Sequence, residues 1–175
     1  AEGRIDHQDF LDRVDMLTTL GHPVLISNHG EFHRLAAYLH RFTKNPIGFV
    51  MGIPTLKELF EERYYSELAG GILESFGRMF KNDLKLFVYP FKDPESGAII
   101  TSGNLRVAPH LRHLYLFLME NFFIQGLRDV NEANMSVLSR NVLKMLQNNE
   151  PGWEPMVPNE VATLIKQRHL LGYKG

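Results

Sequence analysis

The chain contains no cysteine in its 175 residues, which excludes disulfides, thiolate zinc sites and thiol chemistry. A reducing compartment suits such a chain, and the localisation expected is cytoplasmic. Charge of one sign is also missing. Lys and Arg number 19 against 20 Asp and Glu, so no overall field draws the protein to nucleic acid or to an anionic membrane, and neither is expected as a partner. Long apolar runs are absent too. The most apolar stretch, 111–124, is interrupted by Arg112, His113 and Glu120 and falls short of the ~20 residues that a bilayer demands. The opening AEGRIDHQDF has neither the basic start nor the apolar centre of a signal peptide. It also lacks an initiator methionine, so the chain is expected to be the C-terminal part of a longer protein whose upstream portion could complete an active site. G-x-S-x-G, Walker A, G-x-G-x-x-G and EF-hand patterns are all missing, which removes support for the chemistries they serve.

What is present is an alternation of helical and strand patterns. A chain of this length can bury about 70% of the surface it exposes when unfolded. One α/β domain over 1–175 is expected, with a βα-alternating core to residue 92 and an edge strand plus a helical part over 93–175. Apolar spacing predicts helices over 8–20 and 30–42, and a further helical stripe follows Gly70-Gly71 at Ile72, Leu73, Phe76, Met79 and Phe80. Short apolar runs predict strands at 24–27 (VLIS), 47–51 and 84–90. Thr55 and Glu58 have the spacing of a capping box opening another helix. Residues 98–101 (AIIT) suit an antiparallel return after the KDPESG turn, and helices are expected over 111–125, 135–146 and 159–170. The fold expected is a Rossmann-like parallel sheet of at least three strands flanked by helices.

In such sheets ligands gather beyond the carboxyl ends of the strands. Those ends nominate Asn28, His29, Thr55 and Lys92 as rim residues for a small anionic ligand, with Ser27, Asn28 and Thr55 equally readable as helix caps. A second anion cluster is offered by Arg106, His110 and His113 in NLRVAPHLRHLY, beside Arg112. Its plainer reading is a solvated helix start. His29, His33 and His40 fall within about 40° on a helical wheel. His29 and His33 could grip an imidazole-binding metal, or could simply edge an apolar face. Asp6, Asp9, Asp12 and Asp15 recur every three residues, as either a cation-binding face or a solvated one. The sequence specifies no cofactor.

Several segments together carry a family resemblance: GRIDHQDFLDRVDML, VLISNHGEFHRLAAYL, ELAGGILESFGRMFKNDLKLFVYP, NLRVAPHLRHLYLFL and WEPMVPNEVATLIK. They resemble the C-terminal portion of a family of longer, uncharacterised bacterial proteins, whose members are inconsistently named nicotinamide mononucleotide adenylyltransferases or TonB-dependent receptors. The first name implies an H-x-G-H motif after the first strand, whereas this chain has His110-Leu111-Arg112-His113, late and without the glycine. The second implies a membrane β-barrel, and no alternating strand series of that kind is present. GHPVLISN also resembles the strand of haloacid-dehalogenase-type phosphatases that ends in a phosphate-contacting Ser, here Ser27. The D-x-D nucleophile of that family would then have to lie upstream of Ala1.

The function expected is binding of a phosphorylated or carboxylated, nucleotide-like small molecule at the strand ends. Any activity would be nucleotidyl- or phosphoryl-transferring or phosphatase-like and would depend on an upstream domain. The alternative is a non-enzymatic assembly domain that forms a homo-oligomer, or contacts an N-terminal domain, through the apolar helix over 111–124.

Overall fold

The computed structural model describes residues 7–175. In chain order the elements are α1 (His7–Thr19), α2 (Phe32–Leu39), β1 (Ile47–Gly52), α3 (Ile53–Leu59), α4 (Gly71–Met79), β2 (Leu84–Tyr89), β3 (Phe91–Lys92), β4 (Ile99–Ile100), α5 (Arg112–Glu120), β5 (Ile124–Gly126), α6 (Ser139–Gln147) and α7 (Asn159–Arg168). They gather into two compact units. The larger is Ser27–Ser136, and the smaller joins the chain up to Ile26 with Val137–Gly175.

A parallel sheet in the order β1-β2-β5 forms the centre of the larger unit. Ile47 lies opposite Leu84 and Gly52 opposite Tyr89, while Leu86 and Val88 of β2 face Ile124 and Gly126. This order never reverses along the chain. Right-handed crossovers, the rule between parallel strands, therefore carry every connecting helix across the same face. That face is the core, where Met51, Leu84, Leu86, Val88 and Ile124 meet Leu56, Phe76, Met79, Tyr115 and Leu118. Removing each large aliphatic side chain from water contributes roughly 1.5–3 kcal/mol. Burial alternates along β2, and on the opposite face Val50 is 71% exposed. Gly48 sits where this second face is tight, because a Cβ there would lie 2.8 Å from the Phe87 ring.

The expected parallel sheet with a helical C-terminal part is present, but one of its strands comes from elsewhere in the chain. Residues 24–27 form no strand, and Leu25 and Ile26 are 59% and 58% exposed. A four-residue apolar run has no strand identity until a partner supplies its hydrogen bonds, and β1 pairs only with β2. The third strand is β5, inside the stretch read as one long helix over 111–125. That helix stops at Glu120. Phe122 takes a left-handed conformation (φ 60°), the Phe123 N–H donates to the Leu118 carbonyl and the Phe122 N–H to Met119, closing the helix as a Schellman-type turn. Ile124–Gly126 then continue as strand, a change that apolar periodicity alone cannot register. Residues 98–101 do return as a hairpin strand, with Phe91 opposite Ile100 and Lys92 opposite Ile99.

Thr55 does not cap α3. The helix starts directly from the strand at Ile53, with Gly52 before it and Pro54 in its first turn, so Thr55 already lies inside. Proline's fixed φ and missing N–H suit a first turn, which moves the cap from Thr55 to Gly52, three residues earlier than the capping pattern implied.

In the smaller unit α1, α6 and α7 enclose Val142, Leu146, Trp153, Val161 and Ile165. The acidic run of α1 is dispersed among separate tasks. Asp9 pairs with Arg13 and Asp15 with Arg168, whereas Asp12 is buried and accepts hydrogen bonds from the Leu171 N–H (2.8 Å) and the Gln8 amide (2.7 Å). Asp6 lies outside the described residues. The turn that Asp12 holds contains two left-handed non-glycine residues, His169 and Leu171, so the carboxylate stabilises backbone that would otherwise relax. Among the described residues no three His, Asp or Glu side chains are grouped to hold a metal ion, and no helix is long and apolar enough to cross a membrane.

Asp12→Ala should lower unfolding stability by about 1–3 kcal/mol by removing a buried carboxylate that holds the part-buried Leu171 N–H. Asp15→Ala, which breaks an exposed ion pair, should cost no more than about 1 kcal/mol. Urea denaturation of both variants against wild type checks this ranking, and equal losses would contradict it.

Candidate functional site

Two of the three strand ends are roofed by the chain itself. Beyond β2 the chain turns at Pro90 directly into β3. There the Lys92 N–H donates to the Met135 carbonyl (3.0 Å), the Tyr89 hydroxyl to the Asn131 carbonyl (3.0 Å) and the Leu127 N–H to Val88 (2.9 Å). The C-terminal end of β1 differs, because α3 leaves it immediately and a cavity of about 280 Å³ opens beside that helix. Its wall is formed by the start of α2 (Gly30, Glu31, Phe32, His33), by Thr55, Glu58 and Leu59 of α3, by Tyr64 and Tyr65 of the following turn, and by Ser75 and Met79 of α4.

Local packing sets this wall. Ala36 is completely buried, and its small side chain lets α2 approach α4, where Ile72, Phe76 and Met79 form the inward stripe. His33 of α2 and Ser75 of α4 are the polar members of those two stripes, 4% and 2% exposed. Buried polar groups need partners, and these two find each other, with Ser75 Oγ 3.2 Å from His33 Nδ1. Tyr65 stands next in line. Its ring meets Phe76 edge-on and its hydroxyl donates to the Leu59 carbonyl at 2.8 Å.

A carbonyl only accepts, so the single Tyr65 proton goes to Leu59. Burial pushes the Tyr65 phenol up to about 12. The imidazole tautomer sets which of Ser75 Oγ and His33 Nδ1 donates, and His33 Nε2 is buried with no hydrogen-bond partner. Burial holds the His33 pKa below its ordinary 6.5. Arg34 and Arg78 act in the same direction, while Glu31 and Glu74 oppose it, so the ring is neutral near pH 7.

Of the rim residues nominated from sequence, Thr55 lines the cavity, as does His33 of the histidine stripe. Asn28 is exposed in the loop ahead of α2, and the His29 ring packs against Tyr38 at 5.2 Å. Lys92 is exposed on the hairpin. Arg106 and His113 are exposed, and His110 is taken up by Glu62 at 2.5 Å. At the end of α2, His40 has both ring nitrogens buried and unpartnered. Sequence reasoning did not single out Ser75, Tyr64 or Tyr65. The available signal for Ser75 was a hydroxyl on the same stripe as Ile72, Phe76 and Met79.

Fold and cavity together define a class, a mixed α/β protein with a one-faced parallel sheet and a small, mainly apolar cavity beside the helix that follows its first strand. In comparison with known proteins, the chain matches no protein-family model, no curated protein and no solved structure.

The neutral buried imidazole has a consequence for pH. Below about pH 6.5 the unfolded chain takes up a proton that folded His33 resists, so stability should fall as pH drops through that value. Urea midpoints measured from pH 7.5 to 5.0 should decline more steeply for wild type than for His33→Asn. Parallel profiles would show that His33 does not contribute this slope.

Proposed function

We propose that the larger unit is a small-molecule-binding α/β domain whose ligand occupies the cavity at the C-terminal end of β1. The observation that carries this reading is His33 Nε2, a buried ring nitrogen without a partner on a residue of the cavity wall. An unsatisfied buried polar atom costs about 1–3 kcal/mol, and a bound polar partner would remove that penalty. The volume of about 280 Å³ suits a compact ligand, since pockets for drug-sized molecules run from roughly 300 to 1,000 Å³. A phosphate or carboxylate, the class expected from the strand ends, would meet the first-turn N–H groups of α2 and α3 and the Thr55 hydroxyl. No Lys or Arg side chain lines the wall, whereas Glu31 and Glu58 do.

The test is a fragment screen by NMR on the full chain with labelled histidine. Hits should shift the His33 Cε1 resonance, and Thr55→Trp, which fills the cavity, should abolish their binding. A library of polar fragments with no member that moves this resonance would overturn the reading.

A second reading rests on α5, which leaves Leu116, Phe117 and, beyond its end, Phe122 at 39%, 54% and 66% exposure. A second copy of the chain covering these side chains would make the unit an assembly domain. Light scattering should then show a wild-type dimer that Phe117→Glu converts to a folded monomer, and a monomeric wild type at high concentration would eliminate this version.

A further inference from the structure

The bonding pattern of the sheet leaves the outer edge of β1 open. The Ile47 N–H donates to the Asp83 carbonyl, and Ile47 lies opposite Leu84. In a parallel pair every second residue bonds to the neighbouring strand, so Ile47, Phe49 and Met51 turn their backbone groups toward β2. The far side of β2 agrees, because its Leu86 N–H and Val88 carbonyl meet Phe123 and Leu127, leaving the alternate residues for β1. Gly48 and Val50 therefore point their N–H and carbonyl groups away from the sheet, as Gly52 does its N–H. Gly48 and Val50 are exposed, and no other group among the described residues bonds to their backbone.

Such an edge is a template for another strand, and proteins ordinarily guard it with a charge, a proline, a bulge or a very short strand. β5, the opposite edge, is three residues long. β1 has six, in regular register with β2 throughout, and its sequence IGFVMG contains neither charge nor proline. On the uncovered face Val50 is 71% exposed, and the Phe87 ring opposite it in register lies against Gly48.

The strand is also symmetric about its centre. Gly48-Phe49-Val50-Met51-Gly52 carries a glycine two residues to either side of Val50, so an antiparallel copy centred there sets valine against valine and glycine against glycine. In that register Val50 and its copy exchange both N–H···O bonds, and the Gly52 N–H meets the Gly48 carbonyl of the other copy. Sliding the pair to place Gly48 opposite Val50 would set Gly52 against Pro46, which has no N–H to offer.

We infer that two copies of this chain join antiparallel through the outer edges of β1, with the two-fold axis at Val50. One sheet then runs through both copies, and the two valines and two Phe87 rings share an apolar patch on the face that the helices leave bare. Six residues of edge make a contact smaller than the ~1,200 Å² at which standard interfaces begin, so the dimer is weak and concentration-dependent. The cavity and α5 take no part in it.

Sedimentation equilibrium of the full chain should show a reversible monomer–dimer equilibrium. Val50→Lys keeps every backbone donor and replaces an exposed side chain, so the variant stays folded, but it sets like charges against each other across the axis and should weaken the dimer by about fivefold or more. Val50→Glu should do the same. Mixing the two variants should restore a dimer, now heteromeric, because opposite charges then face each other. Val50→Pro removes an N–H that β2 does not use and should also give a folded monomer. Phe117→Glu on α5 should leave the equilibrium unchanged. A monomeric wild type, a dimer that survives Val50→Lys, a mixture of Val50→Lys and Val50→Glu that stays monomeric, or a dimer lost in Phe117→Glu would each overturn the assignment.

Discussion

Leu84, Leu86 and Val88 of β2 are almost completely withdrawn from water, and the larger unit is organised around the way they came to be so. β2 is the central strand, hydrogen-bonded to β1 on one side and β5 on the other, in an order that advances without reversing. Because parallel crossovers keep one hand, that order sends α3, α4 and α5 over a single face. A sheet whose order reverses is covered on both sides and forms its ligand crevice at the reversal. This sheet has no such point among its three strands. The cavity lies instead within the helical layer, beside the helix that follows β1.

Burial of polar groups then decides the character of that space. Packing α2 against α4 through Ala36 takes His33 and Ser75 out of solvent, and a histidine in that position is neutral and must be hydrogen-bonded. Ser75 satisfies one ring nitrogen, and the other is left buried without a partner. The smaller unit meets the same requirement differently. Asp12 is fully employed by the Leu171 N–H and Gln8, and its burial is structural.

Much of the architecture was legible along the chain. The run LKLFVY alternates large apolar residues with partly exposed ones and is a strand in any reading, and IGFVMG is its neighbour. The helices of α2 and α4 were visible in their apolar stripes. The limits appeared where a short apolar segment had two possible environments. VLIS has strand composition and no strand partner, while residues 121–125 looked like the end of α5 but turn at the left-handed Phe122 and enter β5 at Ile124. Thr55 was found for a reason that did not hold, since it stands at the strand end as expected but inside the helix, where it lines the cavity.

The sequence by itself determined the α/β class, the parallel character of the sheet, the exclusion of cysteine chemistry and the near balance of charge, because these follow from composition and local periodicity. Tertiary structure alone decided which segment became the third strand, which strand end stayed open and which histidine lost its solvent. His29, His33 and His40 fall together on a helical wheel, but His29 lies ahead of α2 with its ring beside Tyr38, His33 stands inside the helix against Ser75, and His40 follows its last residue with no hydrogen-bond partner. Ser75 is 42 residues from His33, and a contact over that separation exists only after the sheet has placed α4 against α2.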